Sequence, residues 1–148
     1  MFTTDFNEYI DNNIGKIMKK IKNTKPDYDG EERRSLDYVL DYLLNNYLYC
    51  GIDLEDYIKS VKNFPVEKIA SFAKENCYDR LIVFMFDYTD KKDLLVDYLC
   101  SFIPSVILLN IEMYFIKTKL FTGEQVNKLS DCIINFNNSN YIFELIKL

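Results

Sequence analysis

Cys77-Tyr78-Asp79-Arg80-Leu81-Ile82-Val83-Phe84-Met85-Phe86 sets one basic residue at the mouth of an apolar run. The run is too short to span a bilayer, which takes roughly 20 apolar residues, so it reads as a buried helix. Downstream, Leu94 to Ile116 carries a longer apolar pattern, in which Tyr98 to Leu109 is free of charge, interrupted by Pro104 and flanked by Asp97 and Glu112. The polar stretch Asp87 to Asp93 joins the two segments. Together they predict a central hydrophobic helical hairpin, with the amphipathic remainder of the chain packed around it.

Upstream of the hairpin, Val66, Ile69, Ala70, Phe72 and Ala73 mark a fourth helix, with Pro65 suited to its first position. Asn63-Phe64-Pro65 ends the third, because proline biases its predecessor away from helical backbone. That third helix is short, capped by Asp53, and carries Leu54, Tyr57, Ile58 and Val61 on its apolar face. From Glu31 to Cys50, Leu36, Leu40, Leu43 and Tyr47, with Val39, Leu44 and Leu48 on the adjacent row, predict an amphipathic second helix closed by Gly51. Phe6, Ile10, Ile14, Ile17 and Ile21 predict helix one over Phe6 to Lys22, started by the box-like Asp5 and Glu8. The lysines of its last turns suit the helix C-terminal dipole and read as a solvated face. Between helices one and two, Asn23 to Gly30 has loop composition. As a hinge it would allow a homodimer in which helix one is swapped onto a second copy.

Downstream, Thr122-Gly123-Glu124-Gln125 matches a Thr-x-x-Gln capping box and opens a helix with Val126, Leu129, Ile133 and Phe136. Asn137-Asn138-Ser139-Asn140 breaks it, and Tyr141 to Leu148 reads as a last short helix. Spacings of three and four dominate, so the fold class is all-α, a bundle of roughly seven or eight helices.

The 148 residues fit a single domain, 1–148, able to bury about two thirds of its unfolded surface. Only 4 Gly and 3 Pro argue against a turn-rich β protein. A net charge of -5, with Arg33, Arg34 and Arg80 as the arginines, leaves no broad basic surface, so nucleic acid is not an expected partner. Histidine is absent, which removes imidazole acid–base chemistry. Cys50, Cys77, Cys100 and Cys132 are separated by 27, 23 and 32 positions. They read as free, buried thiols in a reducing compartment, with no metal site and no cofactor expected. The N-terminus lacks the pattern of a secretory signal. Carboxylates such as Asp53, Glu55 and Asp56 fit capping better than a catalytic pair, and Glu31-Glu32-Arg33-Arg34 reads as a solvated turn. No nucleophile sits beside a base and no glycine-rich loop is present, so the chain is not expected to be an enzyme.

The residues around Arg80 carry a family pattern. Phe72 stands eight positions before Arg80, the aromatic Tyr78 two before it, and Leu81-Ile82-Val83-Phe84 follow it. This resembles the first homology motif of the Bcl-2 family, Asn-Trp-Gly-Arg followed by aliphatic residues and Phe. Cys77 replaces the motif Asn and Asp79 the motif Gly, and the second motif is hardly recognisable near Thr122-Gly123. Divergence of this kind is similar to that of viral, poxvirus-type anti-apoptotic members.

The resemblance implies a Bcl-2-like bundle with a surface trough for an amphipathic BH3 helix. Expected partners are pro-apoptotic proteins of the Bim, Bax or Bak kind. It further implies a groove formed by Leu48, Tyr57, Ile58, Val61, Val66, Ala70, Ala73, Lys74, Cys77, Asp79, Arg80 and Val83, with Phe72, Tyr78 and Phe84 as motif aromatics. Arg80 would pair with the ligand's Asp, since a guanidinium offers a rigid fork to a carboxylate. The implied function is inhibition of host apoptosis, in the host cytoplasm and at the mitochondrial outer membrane, with membrane association only through a segment outside these residues. The alternative is a poxviral relative without a working groove, blocking innate immune (NF-κB) adaptors through an outer helix face. A pore-forming executioner fits less well, because Asp97, Pro104 and Glu112 make insertion of the hairpin costly.

Overall fold

The computed structural model describes residues 2–101 and 122–137. These residues form seven α-helices and no β-strand. They belong to two compact units of chain, Met1–Pro65 and Val66–Leu148.

The first unit holds α1 (Phe2–Thr24), α2 (Arg33–Asn45) and α3 (Gly51–Ser60), each packed against the other two. Its interior is largely the stripe expected from the spacing: Ile10 and Ile21 from α1, Leu36, Val39, Leu40, Leu43 and Leu44 from α2, and Leu54, Tyr57 and Ile58 from α3, while on α1 Met18, outside that stripe, is buried and Ile14 and Ile17 are only half-buried. α1 stops where Lys25 takes left-handed backbone, φ 44°, while its amide bonds to the Ile21 carbonyl at 2.9 Å. The Lys22 ammonium meets Asp56 of α3 at 2.7 Å.

The expected hinge loop is tied down within this unit. The Tyr28 amide donates to the Lys62 carbonyl and the Lys62 amide to the Pro26 carbonyl, both at 2.8 Å. Asp27 Oδ1 accepts from the Asp29 amide at 2.9 Å and from Asn63 Nδ2 at 3.1 Å. These bonds hold its carboxyl below the usual carboxylate range, the Asn63 bond being the larger cause.

Several boundaries differ from the sequence expectation. α1 runs over Phe2–Thr24 rather than Phe6 to Lys22, so Asp5 lies inside the helix and does not start it. α2 ends at Asn45 rather than Cys50: both the amide and the side chain of Asn46 bond to the Tyr42 carbonyl, at 3.1 Å and 2.8 Å, and the following residues form a turn. Local side-chain bonding of this kind is how Asn competes with helix. Gly51 consequently opens α3 instead of closing α2, with Cys50 at the cap position. Asp53 is therefore not the cap; it lies in the first turn, where a carboxylate still complements the helix dipole. Val61 is not helical either. It is the extended residue that ends α3, and its side chain is buried.

The second unit holds α4 (Val66–Glu75), α5 (Asp79–Met85), α6 (Lys92–Cys100) and α7 (Gly123–Asn137). α4, α5 and α6 pack on one another, and α7 packs on α6. Leu81, Ile82, Val83, Met85 and Phe86 are buried, as are Leu95, Val96 and Leu99, so the first arm of the expected hairpin and the start of the second are interior helices. Pro104, Glu112 and the rest of 102–121 lie outside the described residues, as does the expected last helix, Tyr141 to Leu148. Ser71 Oγ and Tyr98 Oη share a hydrogen bond of 2.8 Å between α4 and α6.

The capping box forms as expected. The Thr122 amide donates to Gln125 Oε1 at 3.0 Å, and the Gln125 amide donates to Thr122 Oγ1 at 3.3 Å. Gln125 Nε2 also reaches Asp93 Oδ1 on α6 at 3.2 Å.

Candidate helix-binding site

The corner between α4 and α5 positions Arg80. After Glu75, the Cys77 amide donates to the Lys74 carbonyl at 3.3 Å and the Tyr78 amide to the Ala73 carbonyl at 2.8 Å. These bonds, with Cys77 at φ 54°, form a Schellman motif, in which glycine is the usual left-handed residue. The motif turns the chain sharply enough for Tyr78 to precede a new helix at once. Asp79 and Arg80 then occupy the first turn of α5, above the buried row Leu81, Ile82, Val83 and Met85.

At this corner Lys74, Cys77 and Arg80 are exposed, and Asp79 is half-buried. No described residue forms an ion pair or hydrogen bond with the Arg80 guanidinium. A cation in the first turn of a helix opposes the helix dipole, so the charge of Arg80 does not stabilise α5. Phe72, Tyr78 and Phe84 are half-buried, and Phe84 packs against Tyr88 with ring centres 5.2 Å apart.

The apolar residues assigned to the trough lie deeper than a trough wall. In the second unit Ala70 and Ala73 are 0% exposed, and Val66 and Val83 are buried. In the first unit Tyr57, Ile58 and Val61 are buried, and Tyr57 Oη donates to the Leu36 carbonyl at 2.9 Å. Burial, first of all, pushes the Tyr57 phenol far above its ordinary pKa. Leu48 is the opposite case at 77% exposed. It shares the turn between α2 and α3 with Tyr49, which is 90% exposed, and Ile52 in the first turn of α3 is 78% exposed; the sequence pattern singled out neither. The Asn45-Asn46 pair, a weak place for helix, was the available signal for that turn.

Other features of the two units are simpler. Arg33 lies over the Tyr28 ring at 5.3 Å and Arg34 over the Tyr38 ring at 5.9 Å, both exposed; of the block expected as a solvated turn, Glu31 and Glu32 form the turn and the two arginines open α2. The first unit has a cleft of about 250 Å³ between α1 and α2, floored by Ile10, Ile21, Leu36 and Val39. The cysteines are less buried than expected: Cys77 is exposed and the other three are half-buried, Cys50, Cys77 and Cys100 because they lie at helix ends. Among the described residues no cluster of three or more His, Cys, Asp or Glu could hold a metal ion. Nor is any described helix long and apolar enough to cross a membrane.

Comparison with models of known protein families, with curated proteins and with solved structures finds no match to this chain.

Proposed function

We propose that this chain is a helix-binding protein of the Bcl-2-like kind, which inhibits host apoptosis by sequestering the BH3 helix of pro-apoptotic proteins. The observation that carries the reading is Arg80, an exposed guanidinium without a described partner at a helix start that its charge does not stabilise. An incoming amphipathic helix offers a carboxylate for that cation and apolar side chains for the row beneath it. The action is competitive occupancy, with no chemical step: a helix held here is unavailable to activate its own targets. Because Ala70 and Ala73 are covered in the free chain, the ligand has to displace what covers them. The apparent affinity is then lowered by the fraction of open molecules.

That burial also favours a second reading, in which the trough is filled and the protein blocks innate immune (NF-κB) adaptors through an outer face. Calorimetric titration with a panel of BH3 peptides separates the two. The first reading predicts sub-micromolar binding by at least one peptide, about -8 kcal/mol or better. Absence of heat at tens of micromolar with every peptide supports the second.

A further inference from the structure

The facing sides of α6 and α7 carry three side-chain pairs in one register. Asp93 meets Gln125 and Asp97 forms an ion pair with Lys128, and Cys100 and Cys132 come next on the same two rows of these packed helices. The positions rise together on both helices, in steps of three and four, so the helices run side by side in the same direction with Cys100 opposite Cys132. Neither thiol is fully enclosed, since both are half-buried. The first two pairs involve polar side chains able to adjust as the helices draw together.

From this register we propose that Cys100 and Cys132 form a thiol–disulfide site, in which a low-molecular-weight disulfide such as oxidised glutathione converts the two thiols into one covalent bond between α6 and α7. The reaction balances as two exchanges. The Cys132 thiolate attacks one sulfur of the small disulfide, forms a mixed disulfide and expels one small thiolate. Cys100 then loses its proton and attacks Cys132 Sγ. The protein Sγ–Sγ bond forms, and the second small thiolate leaves. Two electrons pass from the protein to the small disulfide, and the two protein protons go to the two released thiols.

Burial first, and then the neighbouring Cys132, push the Cys100 thiol up to about 12, while the nearby Lys128 ammonium acts in the opposite sense. So weak an acid is a poor partner for bimolecular attack. Cys100 is suited to the second, intramolecular step, where its neighbour is already within reach. This assignment is independent of any BH3 binding.

The test is to incubate the full chain, under native conditions, with excess oxidised glutathione, then alkylate the remaining thiols and map the peptides by mass spectrometry. A Cys50→Ser/Cys77→Ser variant run in parallel keeps other pairings out. The expected product is a Cys100–Cys132 cross-link lighter by two hydrogens, formed faster as the pH is raised, reversed by dithiothreitol and absent in Cys132→Ser. The oxidised chain should also unfold at higher urea than the reduced one. Recovery of both residues alkylated overturns the proposal. So does recovery of each carrying its own glutathione, or formation of the cross-link only after the chain is unfolded.

Discussion

The hydroxyl of Tyr57, on α3, donates to the carbonyl oxygen of Leu36, on α2, at 2.9 Å inside the first unit. Its ring is fully buried, and a ring so placed with its one polar atom satisfied is an interior strut. Tyr57→Phe keeps the ring and deletes the bond. It should cost about 1 kcal/mol, the usual net worth of a buried neutral hydrogen bond, read as a lower urea midpoint at unchanged slope.

Cys77 holds left-handed backbone at φ 54° with an exposed side chain. That conformation costs an L-residue about 1 kcal/mol relative to glycine. Cys77→Gly should therefore raise the unfolding free energy by about 0.5 kcal/mol, the rest being offset by the greater freedom glycine gives the unfolded chain. A loss of stability in urea titration would contradict the Schellman reading of the α4–α5 corner.

Thr122 and Gln125 satisfy each other's amides at the start of α7. Thr122→Ala should cost about 1 kcal/mol. Gln125→Ala should cost more, because it also frees Asp93 on α6. Native-state hydrogen exchange should show the loss first in the amides of the opening turn of α7.

Tyr42 Oη donates to Asp11 Oδ1 at 2.6 Å, and this bond, followed by burial, raises the phenol from 10.0 to about 12. With the folded value above the unfolded one, the folded chain binds the proton more tightly. The stabilisation is complete below pH 10 and is lost as the pH rises toward 12. Tyr42→Phe should flatten stability against pH across that window, and an ultraviolet titration of tyrosinate should lose one late-titrating group. An unchanged profile would mean that Asp11 does not hold the phenol.

The helices that were legible in the sequence are those whose cause is local. Thr122-x-x-Gln125 specifies its own cap, and Leu36, Leu40 and Leu43 specify one face, so both survive unaltered in the structure. Gly51 misled because a glycine after a periodic run normally ends a helix, whereas α2 had already ended at Asn45 in the Asn45-Asn46 pair. The left-handed Cys77 was not legible at all. No local preference puts cysteine there, and the conformation comes from the turn that packs α5 against α4. Apolar identity likewise gave no sign that Ala70 and Ala73 would be covered while Leu48, Tyr49 and Ile52 face solvent. Which side of an apolar residue meets protein is settled by tertiary packing, not by spacing.

Arg80 bears most directly on the proposed role, and the decisive measurement is a calorimetric double-mutant cycle with a BH3 peptide. The wild-type chain should bind the peptide, and Arg80→Ala should weaken binding by about 2 kcal/mol, roughly 30-fold. The same loss should follow from replacing the peptide's Asp by Ala, with little further loss when both changes are combined. Equal affinity for wild type and Arg80→Ala, or additive losses in the double variant, would contradict the charge pair on which helix capture depends.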